Sequence, residues 1–412
     1  MCFNAIPAAR RAHIGFFGRR NAGKSSLVNA VTGQALSVVS PVPGTTTDPV
    51  RKAMELLPLG PVVILDTPGF DDEGQLGALR VEKTRQALRE CDAAVLVADA
   101  VKGMSPIDRE LLELIRGQGI PYLIAHNKSD LTQARPAREA HEIDVSALTG
   151  YQVEELKERL ARLLDTLDGE PPLLADLFAP GETVVLVTPV DSAAPKGRLI
   201  LPQQQALREA LDAHAICVIA RETELAAALA GLNTPPALVV TDSQVFARVA
   251  GIVPVSVPLT SFSILFARYQ GFLEASVRGA RTLAGLPEGA RILIAEGCTH
   301  HRQCDDIGTV KLPRWIRAFT GKEFDFSFCA GRDFTAYGSA DRSAGFDAFD
   351  LVIHCGACML GRRAVRSRLR CCEARGVPLT NYGVLIAEMN GILERCLLDG
   401  RLLRPAPGYT PK

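Results

Sequence analysis

The sequence has no net charge and no long apolar run. Its 46 Lys and Arg residues are balanced by 46 Asp and Glu residues, so it lacks the overall basic excess of a dedicated nucleic-acid binder. No segment reaches the roughly 18 uninterrupted apolar residues of a membrane span. The first residues lack an apolar core followed by a cleavage site of small residues. We therefore expect a cytoplasmic protein with no membrane or nucleic-acid partner.

Low-complexity tracts, fixed-period repeats and a Ser-His-Asp constellation are also missing. What the chain does contain is 47% hydrophobic and 22% charged residues, a composition typical of globular proteins. Its 412 residues are enough for two or three domains. Eleven cysteines are present, and in a reducing compartment they favour thiols or metal ligands over disulfides.

Short apolar runs alternate with amphipathic stretches in the first part of the chain, for example Val62–Asp66, Ala93–Asp99 and Pro106–Gln118. This alternation predicts an α/β fold with a mostly parallel, doubly wound sheet covered by helices on both faces. A cluster of Pro, Gly and acidic residues over 168–181 predicts a domain boundary. Two smaller α/β units follow, which gives domains at 1–170, 180–260 and 261–412.

The segment Gly18–Ser25 fits the P-loop pattern between a predicted strand and a predicted helix. Gly18 and Gly23 permit the tight backbone path that points N–H groups at phosphate oxygens. Lys24 would reach the β- and γ-phosphates, and Ser25 would bind Mg²⁺. The helix N-terminus adds favourable partial charge. We also assign Ser26 to this site.

A second phosphate-side motif is Asp66 to Gly69, at the end of an apolar strand. Asp66 can hold the Mg²⁺ shell, and the Gly69 amide can sense a γ-phosphate. Between the two motifs lie Thr45, Thr46 and Thr47, where a mobile switch should supply a hydroxyl to Mg²⁺. We favour Thr46 for that ligand.

The base-recognition motif is Asn127 to Asp130, at the end of another predicted strand. The Asp130 carboxylate can accept hydrogen bonds from the N1–H and 2-amino groups of guanine, with Asn127 and Lys128 completing the motif. Adenine offers neither donor, so the motif selects GTP over ATP. Ser146 and Ala147 end the next strand and would back the base. Four motifs in this order predict a protein that binds GTP and GDP.

These motifs resemble the translation-factor-like GTPases typified by the tRNA-modifying GTPase TrmE and by Era. In that family a hydrophobic residue replaces the water-orienting Gln, and Phe70 agrees. The potassium-stimulated members use an Asn of the P-loop to bind K⁺, and Asn21 occupies that place. The resemblance therefore implies a slow, K⁺-stimulated GTPase in which Lys24, Asn21, Thr46, Asp66 and Gly69 take part in catalysis. A cation at the developing phosphate charge is the physical reason for such stimulation.

Cysteines end two apolar strands of the last unit. Arg291–Ala295 leads to Cys298, and Leu351–His354 leads directly to Cys355 and Cys358. In a parallel sheet the carboxyl ends of the strands share one edge, so these thiols can converge. Three thiolates select a soft metal or an iron–sulfur cluster, and three Cys with one His also suit zinc. The histidines close to these cysteines in the sequence are candidates for a fourth ligand, namely His300, His301 and His354.

The order of a GTPase domain, then Cys298 and His300, then His354, Cys355 and Cys358 resembles the family of FeFe-hydrogenase maturation GTPases, HydF. That resemblance covers essentially the whole chain. It implies a middle unit that makes the homodimer and a 4Fe-4S cluster held by the three cysteines, with His300 and His354 as ligands or hydrogen-bonding neighbours. It further implies a scaffold that assembles or carries a diiron precursor to apo FeFe-hydrogenase, with radical-SAM maturases as partners.

Two other functions remain open on the sequence. One is a ribosome- or tRNA-associated GTPase with a structural zinc site, and the other is a redox-sensing GTPase that uses Cys355 and Cys358 as a dithiol. A basic stretch follows the cysteines, and it either docks an anionic partner or forms a solvated helix face. Its members are Arg362, Arg363, Arg366, Arg368 and Arg370.

Overall fold

The computed structural model divides the chain into two compact units, Met1–Gly169 and Glu170–Lys412. The structure describes residues 11–34, 50–67, 84–132, 138–165, 171–189, 199–297, 307–331, 334, 345–358 and 360–405. Within this part of the chain, no helix has the length and the apolar character needed to cross a membrane.

The first unit is built on a six-stranded sheet in the order β2-β3-β1-β4-β5-β6. All neighbouring strands are parallel except β2, which runs antiparallel to β3 at the edge. The strands are β1 (Ala12–Phe17), β2 (Val50–Leu56), β3 (Gly60–Asp66), β4 (Ala93–Asp99), β5 (Tyr122–Asn127) and β6 (Glu142–Asp144). The helices are α1 (Lys24–Thr32), α2 (Pro106–Gly117) and α3 (Val153–Asp165), together with the helical residues 84–90.

Helices cover both faces of this sheet. Leu27 and Val31 of α1 and Leu156 of α3 are buried in one apolar cluster. Leu111 and Ile115 of α2 belong to a second cluster, which is built on the other side chains of the same strands. Since β4 lies in the centre, all seven of its residues are buried. The predicted α/β fold with a mostly parallel sheet covered on both sides is therefore confirmed.

The second unit contains two four-stranded parallel sheets, in the orders β10-β9-β7-β8 and β12-β11-β13-β14. The first is formed by β7 (Thr183–Val187), β8 (Ile216–Ala220), β9 (Leu238–Thr241) and β10 (Leu259–Ser261). The second is formed by β11 (Arg291–Glu296), β12 (Asp325–Ala330), β13 (Leu351–His354) and β14 (Leu379–Asn381). The helices are α4 (Leu201–Asp212), α5 (Leu225–Ala230), α6 (Phe246–Ile252), α7 (Phe262–Gln270), α8 (Leu273–Thr282), α9 (Leu312–Thr320), α10 (Arg362–Glu373), α11 (Tyr382–Met389) and α12 (Leu393–Cys396).

The two sheets of the second unit share one apolar core. Leu186 and Val240 from the first sheet and Ile294 and Val352 from the second belong to the same buried cluster. The sequence-based border between residues 260 and 261 lies inside β10, the last strand of the first sheet. The structure thus joins the second and third predicted domains into one compact body.

Helix α8 lies so close to β14 that only glycine fits at position 279. A Cβ atom on Gly279 would be 2.2 Å from the Leu379 carbonyl oxygen and 2.5 Å from its carbon. We expect Gly279→Ala to destabilise the second unit by about 1–3 kcal/mol, because overpacking outweighs the gain of about 1 kcal/mol in helix propensity. Urea unfolding followed by the fluorescence of Trp315, the single tryptophan, measures this unit selectively.

Gly251 is the matched control, because it also lies in a helix and a Cβ atom there meets nothing within 4 Å. Gly251→Ala should leave the urea midpoint unchanged or raise it. Equal midpoints for the two variants would contradict the close approach of α8 to β14.

Candidate functional site

The predicted P-loop leaves β1 and enters α1, and its backbone is held from outside the loop. Gly18 has φ 148° and Gly23 has φ 87°, a region that L side chains rarely adopt. A Cβ atom on Gly18 would be 2.3 Å from the Val97 carbonyl oxygen, and one on Gly23 would be 2.3 Å from Asn127 Nδ2. Both glycines are therefore required by close packing as well as by conformation.

Asn127 connects the base-recognition motif to the P-loop. Its Nδ2 donates to the carbonyl oxygen of Ala22 at 3.1 Å and to that of Gly23 at 3.3 Å. Its Oδ1 accepts from the Ala147 N–H at 3.0 Å. One buried amide thus fixes three loops at the carboxyl ends of the strands, so its role includes holding the site together.

Lys128 makes a second connection of the same kind. Its Nζ donates to the Asn21 carbonyl oxygen and to Asp99 Oδ2, both at 2.7 Å. Burial alone would raise the pKa of Asp99, but hydrogen bonds from Lys128, Lys102 and Val101 bring it below its ordinary value. Asp99 therefore stays ionised and anchors the lysine that supports the loop.

The predicted Mg²⁺ ligands on the phosphate side are adjacent. Ser25 Oγ donates to Asp66 Oδ2 at 2.8 Å, and Asp66 is only 5% exposed. Its Oδ1 is buried and has no hydrogen-bond partner among the described residues, an arrangement that suits a metal-bound water. Lys24 Nζ donates to the Arg19 carbonyl oxygen at 3.3 Å. Ser26 follows in the first turn of α1.

The carboxylate that the sequence predicts to select guanine follows β5. Asp130 is exposed, and its Oδ1 accepts from Ser146 Oγ at 2.5 Å. This bond orients the carboxylate, while its other oxygen remains available to the base. Thr46 and Gly69, the two remaining predicted residues of the nucleotide site, lie outside the described residues.

The two strands that precede the cysteines have their carboxyl ends at one edge of the sheet, as predicted, and they are also direct neighbours. Strands β11 and β13 are parallel, with Ala295 paired to His354. Gly297 N–H approaches Cys355 Sγ at 3.0 Å, and Ala357 N–H approaches it at 3.5 Å. The chain that leads to Cys298 therefore passes directly beside the Cys355 sulfur.

Cys355 is held in a partly apolar environment with nearby donors. Burial raises the pKa of its thiol, and the N–H groups of Ala357 and Gly297 and the charge of Arg368 oppose part of that rise. Cys358 follows three residues later in the chain, and neither cysteine is in a disulfide. Such N–H groups directed at sulfur are the environment that tunes metal-bound thiolates.

His354 uses both ring nitrogens in hydrogen bonds. Nδ1 lies 2.8 Å from the Cys355 carbonyl oxygen, and Nε2 lies 2.7 Å from Arg368 Nη1. Burial lowers the pKa of His354 to about 3, and the charge of Arg368 adds to that lowering. The sequence allowed His354 to be either a metal ligand or a hydrogen-bonding neighbour of the cysteines. This geometry fits the second role.

The donor set fits a thiolate-bound metal group as far as the structure describes it. Within the described ranges, no three His, Cys, Asp or Glu side chains form a group that could hold a metal ion. Cys298, His300 and His301 lie outside those ranges. Two cysteines of one short loop, with backbone N–H groups directed at Cys355 Sγ, are the kind of ligands that soft metals and clusters require.

Sequence reasoning missed two residues that support these sites. Asp99 is the last residue of β4 and anchors Lys128. An acidic residue at the carboxyl end of a buried strand is the sequence signal that could have indicated this role. Arg368 is one of the five arginines in the basic stretch of the sequence, yet it is only 6% exposed. Nothing in the spacing of these arginines separates the buried one from the others.

Comparisons with known proteins find relatives of the first unit. The chain is 38% identical over 161 residues to the tRNA modification GTPase MnmE of Synechococcus sp. (strain RCC307), covering 38% of this chain and 34% of the relative. It is 31% identical over 174 residues to GTPase Der of Kosmotoga olearia, covering 38% and 39%. The chain thus spans little more than a third of these relatives' lengths.

Among solved structures, a similar one is Era in complex with MgGDPNP and nucleotides 1506-1542 of 16S ribosomal RNA. It is 22% identical and has a TM-score of 0.35, and the match covers 51% of this chain and 91% of Era.

Family models match all three parts of the chain. Residues 13–128 match the 50S ribosome-binding GTPase model. Residues 173–271 match the hydrogen maturase F dimerization domain, and residues 274–398 match the hydrogen maturase F tetramerization domain. The last two models together cover more than half of the chain. The protein is therefore a member of the hydrogen maturase F family, with a GTPase domain preceding the dimerization and tetramerization domains.

Proposed function

We propose that this protein is a GTP-hydrolysing scaffold that holds a 4Fe-4S cluster and carries a diiron precursor to apo FeFe-hydrogenase. The observation that carries the proposal is the contact between Gly297 N–H and Cys355 Sγ at 3.0 Å. It brings the chain that leads to Cys298 beside the loop of Cys355 and Cys358. The family of the second unit and the GTPase domain before it support the same function.

GTP would bind with its phosphates against the P-loop and with its base at Asp130. Ser25 and Asp66 would hold Mg²⁺ with Thr46, and Lys24 and the helix N-terminus would offset the charge of the phosphates. The Gly69 amide would sense the γ-phosphate. Among the described residues, the site is already braced by Asn127 and Lys128, so binding does not have to assemble it.

The cluster would be held by Cys298, Cys355 and Cys358. When bound, such a cluster supplies an iron that lacks a cysteine ligand and can take an exchangeable one. His354 would then act on the cysteine loop instead of on the metal. His300, two residues after Cys298 in the sequence, remains a candidate fourth ligand.

Nucleotide state would control the association with partners. GTP would order the segment of Thr45, Thr46 and Thr47 and the segment after Gly69, and hydrolysis would release them, as in other GTPase switches. The partners would be the radical-SAM maturases and the apo-hydrogenase. Equal affinities of the GTP-bound and GDP-bound protein for a maturase would contradict this coupling.

Potassium stimulation is a prediction that centres on Asn21. Its backbone is left-handed at φ 61°, and its carbonyl oxygen is held by Lys128. We expect faster GTP hydrolysis in KCl than in NaCl. Asn21→Gly, which removes the side chain and tolerates this backbone, should abolish that difference and slow hydrolysis in KCl roughly 10- to 100-fold. Phosphate release in each salt measures the effect.

The affinity for GDP is the control, because Asn21→Gly leaves the base motif intact. A variant that binds GDP like the wild type and is still stimulated by K⁺ would overturn the role of Asn21.

The cluster is tested by metal analysis of anaerobically reconstituted protein. We expect about four iron and four sulfide per chain, with loss of the cluster and of precursor transfer in Cys355→Ala, Cys358→Ala and Cys298→Ala. Cys396→Ala is the control, because this buried thiol lies at the end of α12. Colourless protein with about one zinc per chain and no iron uptake would favour the RNA-associated GTPase.

The homodimer is proposed to form through the open edge of β8. Hydrogen bonds from Ile216 N–H to Glu182 O and from Thr188 N–H to Ala220 O, both 2.9 Å, join β8 to the neighbouring strand β7. The alternation of a parallel ladder therefore turns the N–H and C=O groups of Cys217 and Ile219 outward. Ile216 is 57% exposed and Ile219 is 45% exposed. Among the described strands β8 is at the edge of its sheet, and an apolar edge with outward-facing backbone groups suits pairing with a second copy.

A charged edge should prevent this pairing. We expect the double variant Ile216→Lys with Ile219→Lys to be a monomer at micromolar concentration, because two lysines place like charges across the pair. Light scattering after size-exclusion chromatography measures the mass. Val255→Lys is the control, since Val255 is 86% exposed and lies outside β8. A lysine variant that keeps the oligomeric mass of the wild type would exclude this edge.

A further inference from the structure

Arg368 differs from the other arginines of helix α10 because its side chain is buried. Arg362, Arg363 and Arg366 are half-buried and Arg370 is exposed, whereas Arg368 is only 6% exposed. A guanidinium group is costly to bury unless its donors are used. The contacts of Arg368 therefore define what it does in the fold.

The Arg368 guanidinium joins three parts of the last sheet. Nη1 donates to His354 Nε2 at 2.7 Å, and Nη2 donates to the Gly331 carbonyl oxygen at 2.5 Å. Its central carbon lies 4.7 Å from the centre of the Phe334 ring, within the range of a cation–π contact. A single side chain thus ties α10 to the ends of β12 and β13.

These partners determine the tautomer of His354. Arginine has donors only, so His354 Nε2 must be the acceptor. The other nitrogen, Nδ1, faces the Cys355 carbonyl oxygen at 2.8 Å, which can only accept, so Nδ1 carries the proton. The imidazole is therefore neutral with its proton on Nδ1, and neither nitrogen has a lone pair left for a metal.

The cysteine loop is restrained on both sides of Cys355. Cys355 N–H donates to the Ala295 carbonyl oxygen at 2.9 Å, and the Cys355 carbonyl oxygen accepts from His354. Two residues later, Ala357 has φ 56°, a left-handed conformation that an alanine adopts only when its surroundings hold it. This conformation directs the Ala357 N–H at Cys355 Sγ.

We infer that Arg368 is a positioning residue of the cysteine site, which acts through His354 to hold the Cys355 peptide and places one positive charge beside the bound cluster. The charge effect rests on the proposed function, because it needs a cluster at Cys355. The hydrogen-bond relay from Arg368 to His354 to Cys355 is a property of the metal-free protein and is tested without a cluster.

The relay is tested by NMR of metal-free full-length protein labelled with ¹⁵N at its seven histidines. The variants are Arg368→Met, Arg368→Lys, which keeps the charge, and Arg370→Met as the exposed control on the same helix. We expect the wild type and the control to show His354 with Nδ1–H and with Nε2 as acceptor. Arg368→Met should lose this pattern through a shift of the Nε2 resonance and a mixture of tautomers.

A second variant separates positioning from a general effect on folding. In Arg368→Met with His354→Asn, the asparagine Nδ2 takes the place of histidine Nδ1 and donates to Cys355 O without any tautomer to control. After reconstitution with Fe²⁺ and sulfide, this double variant should recover iron content that Arg368→Met alone loses. A purely structural role for Arg368 would leave the loss uncorrected.

The charge effect is measured as the midpoint potential of the cluster in an EPR-monitored titration. Removal of a nearby positive charge disfavours the reduced cluster, so Arg368→Met should shift the potential to more negative values, and Arg368→Lys should stay closer to the wild type.

Unchanged histidine resonances in Arg368→Met would overturn the relay, and an unchanged potential would overturn the charge effect. A wild type that binds no cluster would overturn the proposed function and the charge effect together, while the histidine spectra would still decide the relay.

Discussion

Parallel strand pairing is the interaction on which both sites depend, because it gathers residues that are distant in sequence at one edge of a sheet. In the first unit it brings the P-loop, Asp66 and Asn127 to the carboxyl ends of β1, β3 and β5. In the second unit it brings Gly297 to Cys355. Each site is then completed by side chains that bond across neighbouring loops. A shift in register would separate the ligands without altering any of them.

The sequence was most informative where a residue type is required by chemistry. Gly23 is an example, since glycine readily adopts the left-handed backbone that the structure has there, with φ 87°. The role of Asp130 in selecting guanine follows from its motif and stays a prediction. The buried strands were also predictable. Ala93–Asp99 and Leu351–His354 are continuous apolar runs, and the structure places strands with the same bounds, because strands covered on both faces have that pattern.

The features of the fold and of the sites that the sequence did not predict depend on long-range contacts, which leave no signal in the local sequence. The edge strand β2 reads VRKAMEL, a mixed pattern that only pairing with β3 makes a strand. Arg368 lies on the same helix as four other arginines that are half-buried or exposed, and its burial follows from the positions of His354 and Gly331. Likewise, composition carries no signal for the single core to which residues from both sheets of the second unit contribute.

The contact between Gly297 and Cys355 also constrains the order of events during synthesis. The two residues are 58 positions apart, and ribosomes add roughly 5–20 residues per second. For about 3–12 s after residue 297 is made, its partner does not yet exist. A nascent chain therefore holds residue 297 without this contact until β13 pairs with β11. The last sheet is complete only once residue 381, the end of β14, has been made.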